Sequence, residues 1–69
     1  MQEFILTGED FIPLCDLLKK MRLCSNGGEA KHVIAEGKVK VNGVIELRKR
    51  CKIIKGQLVE YKGEKIKVV

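Results

Sequence analysis

Apolar positions along the chain follow a helical spacing first and a strand spacing afterwards. Leu14, Leu17, Leu18 and Met21 recur at i, i+3, i+4 and i+7, the mark of one buried helix face. Asp10 is the candidate N-cap of this first helix, with Pro13 tolerated in its first turn. Ile12 precedes the proline and is biased toward extended backbone, so the helix start is not sharply defined. A second helix follows the Leu23–Gly28 break. Its apolar positions are Ala30, Val33 and Ile34, its cap is Ser25 or Asn26, and Gly37 is its left-handed stop. The small Ala30 lets the two helices approach closely.

From Lys38 onward the period falls to two. Val39 and Val41 point inward and Lys38 and Lys40 outward. Asn42-Gly43 is the strongest short signal for a two-residue hairpin turn, because both central positions need positive φ. Val44–Leu47 then reads as the return strand and Arg48-Lys49-Arg50 as a loop. Lys52–Ile54, Leu58–Tyr61 and Glu64–Val69 read as further short strands, with turns at Lys55-Gly56 and Lys62-Gly63. Glu3–Thr7 has the composition of a short first strand, ended by Gly8. The expectation is an α+β fold of one domain over residues 1–69, with two packed helices followed by a small antiparallel sheet.

Charge changes this picture more than overall composition does. The chain carries a net +5, but residues 1–24 are slightly acidic and the excess lies further on. Residues 38–55 hold seven basic side chains (Lys38, Lys40, Arg48, Lys49, Arg50, Lys52, Lys55) against one acid, Glu46. Electrostatic fields fall off within roughly 8–10 Å at ordinary salt, so this clustering counts for more than the total. A solvated basic face that only maintains solubility is the plain alternative. Concentration around one hairpin favours a polyanion site.

Other chemistries find little support. His32 is the one histidine and has no carboxylate or nucleophile partner at a fixed spacing, so an enzyme is not expected. Cys15, Cys24, Cys51 and His32 have no metal-knuckle spacing, and Cys15 and Cys51 read as packing thiols. A thiol or zinc sensor using Cys24 and Cys51 ranks below the other readings. No cofactor or metal is expected. Gly27-Gly28 lacks the rest of a phosphate-loop motif. No window approaches the ~18 apolar residues of a membrane span, and the N-terminus lacks a secretory pattern. An odd number of cysteines suits free thiols in a reducing cytoplasm.

Nucleic acid fits more of the residues. The Asn26-Gly27-Gly28 helix start offers backbone N–H groups and a positive dipole end to a phosphate. Lysines and arginines confer affinity and salt dependence with little base reading. Of the three aromatics, Phe4, Phe11 and Tyr61, only Tyr61 is a candidate for base stacking. Folded RNA read by shape is therefore favoured over single strands.

The run from Asn26 to Gly43 resembles the RNA-binding domain named after ribosomal protein S4. The family pattern is a polar cap, Glu-Ala-basic, two apolar residues, a glycine and Val-x-Val-Asn-Gly. This chain supplies Asn26, Glu29-Ala30-Lys31, Val33-Ile34, Gly37 and Val39-Lys40-Val41-Asn42-Gly43. The likeness extends over residues 12–61. Leu14-Cys15-Asp16-Leu17-Leu18 and Arg48-Lys49-Arg50-Cys51-Lys52-Ile53 look like the stand-alone bacterial members of the YbcJ type. The resemblance implies the helix–hairpin arrangement called the αL motif. It implies an RNA face on Lys31, Lys38, Lys40, Asn42 and the loop Arg48–Lys52, and many relatives carry Arg or Lys where this chain has Gly27. Together the two lines of reading give Asn26, Gly27, Gly28, Lys31, Lys38, Lys40, Asn42, Arg48, Lys49, Arg50, Lys52 and Lys55 as candidate RNA contacts. The expected partner is structured RNA, ribosomal or transfer, with the ribosome or one of its subunits as the assembly and the protein itself a monomer. The alternative is an electrostatic module for an acidic protein partner.

Overall fold

The structure, a computed structural model, describes residues 1–69. Seven short strands and two helices follow one another as β1 (Gln2–Phe4), β2 (Ile12–Pro13), α1 (Leu14–Lys20), α2 (Gly27–Ala35), β3 (Val39–Val41), β4 (Val44–Ile45), β5 (Lys52–Ile53), β6 (Leu58–Tyr61) and β7 (Glu64–Val68). The class is α+β, as the periodicities imply. The layout departs from helices followed by an antiparallel sheet. β1 precedes the helices and pairs in parallel with β7, so the main sheet is mixed, in the order β1-β7-β6-β3-β4. β2 and β5 form a separate two-stranded sheet, Ile12 opposite Ile53 and Pro13 opposite Lys52.

That small sheet moves the start of α1. Asp10 does not cap it. The pre-proline bias holds Ile12 extended, and its backbone is drawn into pairing with β5. Pro13 becomes the N-cap (φ −60°, ψ 140°), and no side chain caps the helix. Its first N–H groups find carbonyls in the basic loop instead. Leu14 N–H donates to Cys51 O at 2.9 Å and Cys15 N–H to Lys49 O at 3.1 Å. Helix ends leave such donors without intrahelical partners, so this pairing is where α1 and the loop lock together.

Both helices end in the same motif. After α2, Gly37 is left-handed (φ 77°), with Gly37 N–H to Ile34 O and Lys38 N–H to Val33 O. After α1 the left-handed residue is Arg22 (φ 61°), with Arg22 N–H to Lys19 O and Leu23 N–H to Leu18 O. An arginine there costs more backbone strain than glycine would.

The core is aliphatic. Leu14, Leu17 and Leu18 from α1 and Ala30, Val33 and Ile34 from α2 meet Val39, Val41, Val59, Ile66 and Val68 from the sheet. Met21 is half-buried at its rim, and Cys15 is buried with the leucines. Asn42 (φ 52°) and Gly43 (φ 82°) turn the β3–β4 hairpin as the dipeptide predicts. β4 is shorter than the Val44–Leu47 strand expected, and Val44, Ile45 and Leu47 stand exposed at this edge.

Candidate nucleic-acid interface

The structure divides the basic residues of 38–55 into three settings. The first is the loop against α1. Arg48, Arg50, Cys51 and Lys52 line a surface depression of about 390 Å³. The loop backbone is fixed by the two carbonyls it gives to α1 and by β5 pairing with β2. Arg48 is not free within it. Its Nε lies 2.9 Å from Glu46 Oε2 and its Nη2 3.1 Å from Oε1, and its own N–H also donates to Glu46 at 2.9 Å. These hydrogen bonds from Arg48 hold the Glu46 carboxyl down at about 2. The loop's one acid is thus ionised and spent on Arg48, while Lys49 and Arg50 make no ion pair. Lys52 extends over the Phe11 ring, 5.0 Å from its centroid.

The second setting is the outer face of the sheet. Val39 and Tyr61 are paired, as are Lys40 and Glu60. Strand alternation sends Val39, Val41, Val59 and Tyr61 inward and Lys38, Lys40 and Glu60 outward. Lys38 Nζ is 3.1 Å from Glu36 Oε1, and His32 Nε2 is 3.3 Å from the other oxygen. The hydrogen bond from Lys38, then the charges of His32 and Lys38, lower the Glu36 pKa. His32 therefore does have a carboxylate neighbour, one helical turn away on the exposed helix surface. Lys40 has no acid within 4.0 Å, and a hollow of about 170 Å³ opens beside it, lined by Lys38, Lys40, Glu60, Tyr61, Lys62 and Gly63.

Lys55 occupies the third setting and leaves the group. It borders a depression with Glu9, Asp10 and Ile54, next to acids from the chain's start. Only tertiary return of that segment creates this neighbourhood.

At the start of α2, Asn26 Oδ1 accepts the Glu29 N–H at 2.8 Å, and the Glu29 carboxylate in turn accepts the Ser25 N–H. Such reciprocal capping stabilises the helix. It also brings a negative charge to the end offered to a phosphate. Gly28 packs its Cα side near Asn26 Oδ1, whereas a Cβ at Gly27 would meet nothing within 4 Å. Lys31 is exposed and makes no ion pair. Asn42 has structural work: its N–H donates to Leu58 O at 2.7 Å, and its Oδ1 accepts the Leu58 N–H at 2.9 Å. Tyr61 is 3% exposed, which removes the one aromatic considered for base stacking.

The cysteines and His32 form no metal-ligand group, and Cys24 and Cys51 are pushed to higher pKa, mainly by burial. Both thiols are therefore protonated at neutral pH and poorly nucleophilic.

With this arrangement in view, the model of the S4 domain matches residues 4–69. The chain belongs to the S4 domain family. A relative from Escherichia coli K12, named "Putative RNA-binding protein YbcJ", is 48% identical over 69 residues, covering 100% of this chain and 99% of its own length. YbcJ of Shigella flexneri matches equally well, 48% identical with the same coverage. The solution structure of E. coli YbcJ, described as revealing an αL motif involved in RNA-binding, aligns with a TM-score of 0.77 over 100% of this chain and 87% of that one. In this member of the family, α2 and the β3–β4 hairpin carry the family pattern, and the loop 48–52 is anchored beside α1. Lys62 was read from sequence only as a turn residue. Only the folded sheet brings it into one hollow with Lys38 and Lys40.

Proposed function

We propose that this protein is a non-catalytic RNA-binding protein that docks a preformed basic surface on structured RNA, ribosomal or transfer RNA, through phosphate and shape contacts. The contacts are Lys31, Lys38, Lys40, Lys49, Arg50 and Lys52, with Arg48 contributing less because Glu46 neutralises it. Asn26, Gly27 and Asn42 act mainly as scaffold. The protein acts as a monomer in the cytoplasm, a location supported by its three free cysteines. The observation that carries the reading is the loop 48–52. Its backbone is tied to the N-terminus of α1, and Lys49 and Arg50 are held outward without acid partners. Preorganisation of this kind lowers the ordering cost of binding. The absence of an exposed stacking aromatic supports shape over single-strand recognition.

The test is binding to a labelled RNA hairpin at several salt concentrations between about 50 and 200 mM. Replacing Lys49 and Arg50 together by Ala weakens binding by about tenfold or more and lowers the salt slope by roughly 2, whereas Arg48→Ala has a smaller effect. A double variant as tight as the parent throughout that range overturns the assignment.

A further inference from the structure

The β6–β7 end of the sheet holds one cation whose position the fold does not explain. Lys62 is the first residue of the β6–β7 turn and has φ 52°. Gly63 follows at φ 78°, which completes a turn of the type that favours Asn or Gly at both places. A lysine in the left-handed region is strained relative to right-handed backbone, and glycine would not be. The second cost is electrostatic. Strand pairing ends at Val39 and Tyr61, and the residues just beyond it, Lys38 and Lys62, line one hollow as like charges, with Lys38 drawn to Glu36 at 3.1 Å. The third fact is the lack of a partner. The ion pairs of the protein join His32 and Lys38 to Glu36 and Arg48 to Glu46, so Lys62 has none. Its Nζ sits 5.4 Å from the Tyr61 ring centroid, but the tyrosine is buried and needs no such cover.

What the position does accomplish is geometric. Lys62 lines the hollow of about 170 Å³ with Lys38 and Lys40, so three cations meet the single carboxylate of Glu60 there. Burial and then Glu29 raise the Cys24 pKa, and the charge of Lys62 acts in the opposite sense. A phosphate in that hollow gives Lys62 the counter-charge it lacks, whereas Lys38 already has Glu36.

We infer that Lys62, with Lys38 and Lys40, forms a phosphate-binding subsite for the RNA backbone in the hollow at the β6–β7 end of the sheet. The inference rests on the RNA-binding reading above. It extends the contact surface from the hairpin to the β6–β7 turn, which a basic-cluster reading of residues 38–55 leaves out.

Lys62→Asn is the informative variant, because strain and contact predict opposite signs. Asparagine suits the left-handed turn, so the variant is more stable than the parent, with a melting temperature several degrees higher. Its affinity for the labelled RNA hairpin falls about three- to tenfold near 100 mM salt, and its salt slope drops by about 1. Lys62→Arg keeps most of the affinity. If Lys62→Asn binds with unchanged affinity and slope while the Lys49/Arg50 double variant is weakened, the subsite is refuted and the RNA reading stands. If the parent protein does not bind the hairpin, transfer RNA or ribosomal RNA, both fail.

Discussion

Asn42 belongs to the family pattern and lies beside the basic surface, so replacing it separates scaffold from contact. One residue here closes the β3–β4 turn onto β6. Its φ is 52°, and its amide and Oδ1 take both backbone groups of Leu58, at 2.7 and 2.9 Å. Asn42→Ala removes the acceptor for the Leu58 N–H. Leu58 is half-buried, so water partly compensates and the loss is about 1 kcal/mol, the low end for an orphaned donor. Alanine is also less tolerant than asparagine of left-handed backbone, by about 1 kcal/mol. The sum is about 2 kcal/mol, which lowers the melting temperature of a domain this size by roughly 8–16 °C. Asn42→Gly loses the same acceptor but fits the backbone, so it costs about 1 kcal/mol or less. Thermal and urea denaturation followed by circular dichroism give the order parent, glycine, alanine. RNA affinity is then measured at a temperature where all three are folded, and the glycine variant stays within about twofold of the parent. Equal stability of the two variants would remove the left-handed contribution from the argument. A folded glycine variant with about tenfold weaker binding would make Asn42 a direct contact instead.

Two further substitutions address the edges of the surface. Gly27→Lys adds a side chain into open space where many relatives carry a cation, so RNA affinity rises a few-fold and the salt slope steepens by about 1; unchanged binding in a filter or anisotropy assay places the start of α2 away from RNA. Its effect on folding is small, since removing a helix glycine gains about 0.5–1 kcal/mol and a cation at the positive helix end returns about 0.3–1 kcal/mol. Glu46 is depressed from 4.5 to about 2 on folding, so its contribution to stability is complete above pH 4.5 and is lost as pH falls toward 2. Glu46→Gln is accordingly less stable than the parent at pH 7, and the difference shrinks below pH 4.5; a gap that stays constant down to pH 2 in urea titrations contradicts the pairing with Arg48.

The parts of the fold that the sequence discloses are those governed by local rules. Leu14, Leu17 and Leu18, then Ala30, Val33 and Ile34, are buried because their spacing places them on one helix face. Val39 and Val41 alternate inward, and Asn42-Gly43 turns because few other dipeptides tolerate both φ values. What the sequence hides depends on distant segments meeting. β1 pairs with β7 across nearly the whole chain, and Ile12–Pro13 leaves the expected helix for β5. The same holds for the site. The charge cluster in 38–55 is plain in the sequence, but only the folded chain carries Lys55 to Glu9 and Asp10, ties Arg48 to Glu46, and adds Lys62. Arg22 defies the glycine rule for left-handed positions, so its turn could not be read from composition, whereas the Lys62-Gly63 turn falls where the sequence places it.

The central claim is that Lys31, Lys38, Lys40, Lys49, Arg50 and Lys52 form one surface for folded RNA. It is tested most directly by titrating the parent protein against a labelled RNA hairpin and an unstructured strand of equal length, over about 50 to 200 mM salt. The account predicts tighter binding to the hairpin and a log–log salt slope on the order of −4 to −6, from roughly five to seven phosphate contacts. Equal or stronger binding to the unstructured strand, or affinity that does not change with salt, would contradict it.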